Sequence, residues 1–301
     1  MGAQRSVLIT GASSGLGLST AVLLAEKGYL VYASMRDPDR RQELDRAVLE
    51  SGADSDRIRV LRLDVTESAS ITSSLKEIAR QSGRLDALVN NAGVNVDACL
   101  EDLDMSDARK LFDTLVLGAI DLTRAALPLL RLSPDPRIVF VSSSAAVTGG
   151  PTATVYSAAK AAIEKFAESL VWEVAADGVR IIVLRPGIHR SDINDRNSGR
   201  VRPSGSHYRI LYDRIDPLHQ AAIRRAHDPT DVALKVAKAL DSRHPRFRYH
   251  VGWDSYIATV ANPFVPQRIR DLTARLLFRP RAGATRRALK HPKRGGIQTY
   301  R

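Results

Sequence analysis

The stretch Thr10-Gly11-Ala12-Ser13-Ser14-Gly15-Leu16-Gly17 decides the fold class of this chain. It follows an apolar run, Ser6 to Thr10, that reads as a strand, and it opens a predicted helix from Gly15 to Lys27. Glycines allow a tight turn and let the backbone approach a pyrophosphate, which binds at the partially positive N-terminus of a helix. This order of strand, turn and helix predicts a dinucleotide site; a glycine-rich turn from another enzyme class is the alternative.

Strand-like and helix-like segments alternate along the rest of the chain, which is typical of a parallel sheet. After the first strand, six more are predicted at 30–34, 59–63, 87–90, 137–142, 180–184 and 248–251. After the first helix, others are predicted at 38–49, 68–81, 106–132, 154–176 and 230–240, and Gly178 is placed to end the fifth of these six helices. We therefore predict an α/β fold: a doubly wound Rossmann-type three-layer sandwich with a seven-stranded parallel sheet.

One domain is predicted over residues 1–278. Between residues 190 and 228 the periodicity is lost, and an insertion after a sheet strand is where we expect a mobile substrate lid. Residues 264–278 form an amphipathic pattern, with Ile269, Leu272, Leu276 and Leu277 on one side, so we expect a C-terminal helix. Docking of this helix on the body is favoured over membrane insertion.

The formal net charge of +12 is concentrated at the C-terminus. Residues 279–301 contain no acid and eight basic residues: Arg279, Arg281, Arg286, Arg287, Lys290, Lys293, Arg294 and Arg301. A segment with so few apolar residues cannot fold alone, so we predict a flexible tail, either solvated or in weak contact with a membrane surface or an acidic partner. No interleaving of aromatic and basic residues supports specific nucleic-acid recognition.

The remaining composition narrows the class of protein. Cys99 is the only cysteine, which excludes an intramolecular disulfide and a cysteine metal cluster, and the seven histidines are scattered, so no metal site is predicted. No apolar run approaches the roughly 20 residues that span a bilayer, and the first strand begins too early to leave room for a signal peptide. We expect a soluble, cytoplasmic protein.

Three residues suggest a proton-transfer site. Tyr156 and Lys160 lie four residues apart and would share one face of a helix, and Ser143 precedes Tyr156 by thirteen residues. A nearby ammonium favours the phenolate and would lower the pKa of the tyrosine from about 10, so that it could act as a general acid or base. Ser143 would add a hydrogen bond to the substrate oxygen. Taken alone, the tyrosine and lysine could equally be a surface pair.

These motifs, in this order, resemble the short-chain dehydrogenase/reductase family from about Ser6 to Gly252. The matching elements are the glycine turn, Asp64-Val65, Asn90-Asn91-Ala92-Gly93, Ser143, Tyr156 with Lys160, and Pro186-Gly187. The resemblance implies that Tyr156 is the catalytic acid or base and that Ser143 orients the substrate oxygen. It also implies that Lys160 holds the nicotinamide ribose and lowers the pKa of Tyr156.

The resemblance further implies a set of cofactor contacts. Besides Tyr156 and Lys160, these are Gly11, Ser13, Ser14, Gly15, Leu16 and Gly17 in the glycine turn, Asp64 and Val65 at the adenine, Asn91 along the adenosine, and Pro186, Gly187, Ile188 and Ser191 at the nicotinamide and phosphates. Family members usually form dimers or tetramers through the two long helices, so a homodimer or homotetramer is expected.

The end of the second strand bears on the choice of cofactor. An NAD enzyme needs an acid there to bond the ribose 2′-hydroxyl, whereas this chain has Met35 followed by Arg36. The guanidinium of Arg36, helped by the hydroxyl of Ser13, suits a 2′-phosphate, so NADP(H) is favoured over NAD(H). Asp37 is the counter-evidence, because a register shift of one residue would bring an acid to the site.

Leu115 departs from the family pattern, which usually has an asparagine that kinks the helix and holds a water linked to the catalytic lysine. Retained oxidoreduction, aided by another water or carbonyl, is favoured because Ser143, Tyr156 and Lys160 are all present. The alternative is an NADP(H)-binding protein of low or altered activity.

The expected reaction interconverts a secondary alcohol and a ketone or aldehyde on a hydrophobic small molecule. The segment from Val31 to Asp37 and the long C-terminal extension look most like the 17β-hydroxysteroid and retinol dehydrogenases. The small residues from Ala145 to Gly150 leave room for a bulky substrate.

Overall fold

Seven parallel strands form the central sheet of the protein. In the computed structural model, which describes residues 4–190, 198–261 and 264–278, the sheet has the order β3-β2-β1-β4-β6-β7-β9. Its strands are β1 (Ser6–Thr10), β2 (Leu30–Met35), β3 (Ile58–Arg62), β4 (Ala87–Asn90), β6 (Arg137–Val141), β7 (Arg180–Pro186) and β9 (Arg248–Val251). The predicted seven-stranded, doubly wound sheet is confirmed, with each strand within two residues of its expected position.

Helices cover both faces of this sheet. They are α1 (Gly15–Glu26), α2 (Gln42–Ser51), α3 (Ser68–Ser82), α4 (Met105–Phe112), α5 (Gly118–Leu130), α6 (Thr154–Val174), α7 (Arg209–Arg224), α8 (Pro229–Asp241), α9 (Trp253–Ala261) and α10 (Gln267–Phe278). Gly178 adopts a left-handed conformation (φ 69°) after the short turn that follows α6, so its predicted role as a helix terminator is confirmed.

Buried side chains along each central strand pack alternately on the two faces of the sheet, because successive side chains of a strand point in opposite directions. In β1, Val7 and Ile9 pack in the cluster that contains residues of α1 and α8. Leu8, between them, packs in the cluster that contains residues of α3, α5 and α6. Every residue of β1 is buried, which explains the continuous apolar run in its sequence.

The long helix predicted at 106–132 is interrupted by one π-helical turn, Asp113–Leu117, between α4 and α5. Leu115 and Val116 are buried in this turn. Gly118 follows it at a point of close approach, since a Cβ there would lie 2.7 Å from the carbonyl oxygen of Val65. The turn therefore forms in this chain with a leucine at the position where the family usually has asparagine.

The predicted lid contains more regular structure than its sequence suggests. Within the described residues of this segment, β8 (Ser198–Arg200) pairs with β5 (Asn95–Asp97) in a small parallel sheet, and the sixteen-residue helix α7 follows. The expectation of an irregular segment is therefore wrong for residues 209–224. Residues 191–197 lie outside the described part of the chain, and the mobility of the lid stays a prediction.

Ion pairs attach the lid to the body around Asp97, which is 6% exposed. The guanidinium of Arg202 lies 3.1 Å from the Asp97 carboxylate and 2.8 Å from that of Asp216 on α7. Tyr212, also on α7, accepts a hydrogen bond from the backbone N–H of Cys99 and donates one to Asp102. Buried charges need such paired partners, so these contacts fix α7 along one side of the body.

The C-terminal helix is observed as α10. Ile269 is 52% exposed and Leu272 is 56% exposed, and the side chains of Leu276 and Leu277 lie outside the described part, so docking of this helix on the body stays a prediction. The sequence pattern did not predict α9, which precedes it. The basic tail, residues 279–301, lies outside the described residues and remains a prediction.

Candidate active site

A cleft of about 710 Å³ opens at the carboxyl ends of the central strands. Its walls include the turn after β1, the ends of β4, β6 and β7, the start of α6, and one side of α7. In doubly wound folds a crevice forms where the strand order reverses, here between β1 and β4. Its volume lies in the range of small-molecule sites.

The three predicted catalytic residues meet in one wall of this cleft. Ser143 follows β6, and its hydroxyl accepts the backbone N–H of Ala145 at 3.1 Å, while Tyr156 lies in the first turn of α6. Lys160 lies one turn further along α6 and is 7% exposed. Its ammonium donates to the carbonyl oxygen of Val141 at 2.8 Å and lies 5.7 Å from the centre of the Tyr156 ring.

Burial dominates the electrostatics of this pair. Desolvation raises the pKa of Tyr156, and the hydrogen bond with Ser143 opposes this only in part. Burial lowers the pKa of Lys160 to about 8, while the charge of Glu164 acts in the opposite direction. The ammonium of Lys160 is directed to the Val141 carbonyl, and the predicted lowering of the Tyr156 pKa by Lys160 stays a prediction.

A buried ion pair, which the sequence did not reveal, supports α6 behind the catalytic residues. Glu164 is 5% exposed, lies one turn after Lys160, and accepts a hydrogen bond from Ser142 at 2.7 Å. Arg185, at the end of β7, donates to both of its carboxylate oxygens. These contacts join α6, β6 and β7 directly beside Ser143. A single glutamate has no spacing pattern, so only the structure could identify it.

Leu115 is 4% exposed and lines the cleft next to Lys160. Both residues also line a separate small cavity of about 10 Å³, together with Asn90. The Asn90 amide donates to Thr123 at 3.0 Å, and its Oδ1 atom, although buried, has no hydrogen-bond partner among the described residues. The size of this cavity and the unpaired oxygen suit a single water molecule.

The glycine turn is held in place by Asn91. The side-chain amide of Asn91 donates to the carbonyl oxygens of Thr10 and Gly11 at 2.8 and 3.2 Å. Gly11 has a left-handed conformation (φ 69°), which glycine adopts without strain. Gly17 does not line the cleft; a Cβ there would collide with the carbonyl oxygen of Gly11, so its role is close packing. The other predicted residues of the turn, Gly11, Ser13, Ser14, Gly15 and Leu16, line the cleft, as does Asn91.

Two arginines line the cleft at the end of β2. Met35 and Arg36 are there as predicted, and Arg40, which belongs to no predicted motif, lines the cleft with them. The carboxylate of Asp37 instead accepts the backbone N–H of Asp39 at 3.1 Å, capping a short helical turn, and Asp37 is not among the residues lining the cleft. This end of the cleft is therefore lined by basic residues.

The remaining predicted contacts lie at the ends of β3 and β7. Asp64 and Val65 line the cleft, and the Asp64 carboxylate accepts the backbone N–H of Thr66 at 2.9 Å. Pro186, Gly187 and Ile188 line it as well. The backbone N–H of Ile188 donates to Asp254 at 2.8 Å, which anchors this loop to α9. Ser191 lies outside the described residues.

A dinucleotide-type turn and a tyrosine, serine and lysine set in one cleft define a Rossmann-type oxidoreductase. The sequence model described as short chain dehydrogenase matches residues 5–200. The chain therefore belongs to the short-chain dehydrogenase/reductase family, as its motifs predicted.

Individual relatives include the subgroups that the sequence resembled. The chain is 33% identical to retinol dehydrogenase 8 of Bos taurus over 258 residues, covering 82% of this chain and 81% of the relative. It is 30% identical to estradiol 17-beta-dehydrogenase 1 of Rattus norvegicus over 250 residues, covering 81% and 72%. It is also 30% identical to a 3-ketodihydrosphingosine reductase of Bacteroides thetaiotaomicron over 247 residues, covering 82% and 87%.

A solved structure agrees with the fold. A short-chain dehydrogenase from Streptomyces avermitilis superposes with a TM-score of 0.75 at 28% identity, covering 91% of this chain and 97% of that one.

Proposed function

We propose that this protein interconverts a secondary alcohol and a ketone or aldehyde on a hydrophobic small molecule, with NADP(H) as cofactor. The observation that carries the proposal is that Ser143, Tyr156 and Lys160 line the same cleft as the glycine turn, with Lys160 one helical turn after Tyr156. The glycine turn fits a pyrophosphate because the turn opens α1, whose N-terminus favours anions.

The protein's own groups handle the proton. When bound, NADPH would supply a hydride to the carbonyl carbon, and NADP⁺ would accept it in the reverse direction. Ser143 donates a hydrogen bond to the substrate oxygen, and Tyr156 delivers its phenolic proton to that oxygen during reduction. In oxidation, Tyr156 takes the proton back from the alcohol. Lys160 places a positive charge one turn from the phenol and stabilises the phenolate that reduction leaves behind.

Preference for NADP(H) is supported by the charge at the end of β2. Arg36 and Arg40 line the cleft, and guanidinium groups are well suited to hold a phosphate. Asp37, the counter-evidence in the sequence, is used to cap the following turn, away from the cleft lining. An acid at the end of β2 would repel a 2′-phosphate, and Asp37 is not among the described residues that line the cleft, which favours the phosphorylated cofactor.

A hydrophobic substrate is supported by the lid. Ile215, Leu218 and Ala222 of α7 line the cleft, together with Val94 and Val96. Apolar walls with a few polar groups are typical of sites that bind bulky, poorly soluble molecules. The names of the relatives, which refer to retinol, estradiol and 3-ketodihydrosphingosine, favour the same class.

We also propose that the protein works as a homodimer or homotetramer in the cytoplasm. The paired helices around the π-helical turn leave Leu117 57% exposed, and an exposed leucine on a long helix suits contact with a second copy.

The test is ketone-dependent oxidation of NADPH across a panel of apolar ketones, followed with the native protein and with Tyr156→Phe. We expect the variant to lose at least about a hundredfold in kcat while still binding NADPH, because only the transferable proton is removed. Near-normal turnover by Tyr156→Phe would refute the assignment. Tight NADPH binding without turnover of any ketone by the native protein would favour the alternative, a binding protein altered at Leu115.

A further inference from the structure

Helix α9 has its apolar side chains on the outside. Trp253, Tyr256, Ile257 and Val260 are 68%, 58%, 55% and 39% exposed, and their spacing of i, i+3, i+4 and i+7 places them on one face. The buried face carries Ser255, which donates to the carbonyl oxygen of Arg185 at 2.5 Å, and Thr259, which donates to that of Ser255 at 2.7 Å. This is the reverse of the usual surface helix, whose apolar side faces the core.

Further exposed apolar side chains follow α9 in the chain. Phe264 is 82% exposed, and Ile269 and Leu272 on α10 are each more than half exposed. A large exposed apolar face such as that of α9 is rare unless it contacts another molecule. Tryptophan, tyrosine and phenylalanine beside aliphatic residues are the side chains that a membrane interface accommodates best.

The charge near this surface indicates which partner it fits. Helix α10 carries Arg268, Arg270 and Arg275 against the single acid Asp271, and residues 279–301 add eight basic residues and no acid. A second copy of the chain would bring like charges together. Anionic lipid headgroups would instead neutralise them.

Helix α9 also contacts a loop that lines the cleft. Asp254, next to Trp253, holds the backbone of Ile188, which lines the cleft and is 37% exposed. Leu218, 65% exposed, lines the same cleft from α7. A molecule leaving the acyl region of a membrane would meet apolar side chains between this surface and the site.

We propose that the exposed face of α9, formed by Trp253, Tyr256, Ile257 and Val260, docks with α10 on an anionic membrane surface and lies in its interfacial layer. The described residues include no helix that is long and apolar enough to cross a bilayer, which fits attachment to one leaflet. Delivery of a lipid-soluble substrate from this surface rests on the function proposed above, whereas the docking itself does not.

The first test is sedimentation of the full chain with vesicles of equal parts phosphatidylcholine and phosphatidylglycerol. We expect Ile257→Ser combined with Phe264→Ser to weaken vesicle binding by at least about tenfold, since two exposed apolar side chains are removed. The matched control is Leu49→Ser combined with Leu234→Ser, which removes leucines that are 83% and 51% exposed on α2 and α8. The control should bind like the native protein, and neither measurement requires turnover.

The second test uses fluorescence, because the chain has two tryptophans. In Trp172→Phe, Trp253 is the only emitter, and its emission should shift to the blue and be quenched by brominated lipid when vesicles are added. In Trp253→Phe, the remaining Trp172 should show neither change.

Three outcomes would overturn the proposal. Trp253 could remain in water while deletion of residues 280–301 abolishes a salt-sensitive binding, which would mean that tail charge alone acts. The double variant could bind vesicles as well as the control. Finally, Ile257→Ser with Phe264→Ser could convert an oligomer to monomers by light scattering without changing vesicle binding, which would assign the face to a second copy.

Discussion

Arg185 donates two hydrogen bonds to the carboxylate of Glu164, at 2.9 Å from Nε to Oε1 and 2.6 Å from Nη2 to Oε2. Both side chains are largely buried, at 14% and 7% exposure. A buried pair is costly to break from one side, because the remaining charge is left without its partner. The pair also joins the helix that carries Tyr156 and Lys160 to the strand end that precedes the loop at Gly187.

Replacing Glu164 by glutamine should therefore destabilise the protein by about 3 kcal/mol, since Arg185 stays buried and charged. Urea denaturation measures this change. The control is Glu168→Gln, one turn further along α6, where the side chain is 45% exposed and pairs with Lys165 and Arg248. There we expect a loss within about 1 kcal/mol. Equal losses of stability in Glu164→Gln and Glu168→Gln would show that the buried ion pair of Glu164 stabilises the protein no more than the exposed ion pairs of Glu168.

The stability of the native protein relative to Lys160→Met should rise with pH. Burial lowers the pKa of Lys160 in the folded protein from its ordinary value of 10.5 to about 8. Between pH 8 and pH 10.5, Lys160 is therefore protonated more fully in the unfolded chain than in the folded protein. The free-energy cost of burying the charged lysine applies in full below pH 8 and decreases as the pH rises toward 10.5. Over that window we expect the relative stability to increase by about 3 kcal/mol.

Chemical denaturation of the native protein and of Lys160→Met at several pH values gives the difference between their free energies of unfolding. The contribution of Tyr156 largely cancels in this difference, because both proteins contain the tyrosine. Lys165→Met, at a lysine side chain that is 73% exposed, serves as the control and should show a flat difference. A flat profile for Lys160→Met as well would contradict the lowered pKa.

Two leucines of the π-helical turn should respond differently to asparagine. Leu115 is 4% exposed and Leu117 is 57% exposed. Leu115→Asn places an amide in an apolar site and should cost about 2 kcal/mol, whereas Leu117→Asn should change stability by less than about 0.5 kcal/mol. Thermal or urea unfolding measures both.

The same pair of variants examines proton exchange at Lys160. Under the proposed function, Leu115→Asn should leave the solvent isotope effect on kcat unchanged, because the small cavity beside Asn90 can hold the water that serves the lysine. A changed isotope effect in Leu115→Asn, with none in Leu117→Asn, would show that the leucine limits proton exchange.

Combined replacement of Arg36 and Arg40 by alanine should weaken NADPH binding by about tenfold to a hundredfold, because hydrogen bonds from charged groups to the 2′-phosphate would be lost. Binding of NADH should change little, since it lacks that phosphate. Titration calorimetry with both cofactors compares them. Arg41→Ala is the matched control, because Arg41 pairs with Asp45 on α2. Equal weakening for both cofactors would refute the assigned role.

The sequence predicted the sheet and most of the site because both depend on local patterns. The run Ser6–Thr10 is apolar since β1 is buried on both faces, and the glycine turn is set by backbone geometry next to it. Features that depend on partners distant in the chain were missed. Strands β5 and β8 are three residues each and form only by pairing with each other across about a hundred residues.

Other misses have different physical causes. Helix α9 buries Ser255 and Thr259 and exposes its apolar residues. A prediction that assumes buried apolar residues therefore gives the wrong orientation for this helix. Arg40 carries no motif and is brought to the cleft by the short turn that Asp37 caps. The pKa of Tyr156 depends on where the Lys160 ammonium points, which residue spacing cannot determine.

Trp253 and Asp254 are consecutive residues of α9 with different surroundings. The indole is exposed, while the carboxylate fills the space beside Gly187 and Gly252, where a Cβ would collide with it. A helix turn is stiff, so a roll of α9 moves both side chains at once. A rotation of α9 caused by a contact at its outer surface would therefore displace the loop after β7, which Asp254 contacts directly. By thermodynamic reciprocity, a ligand that fixes this loop also restrains the outer helix.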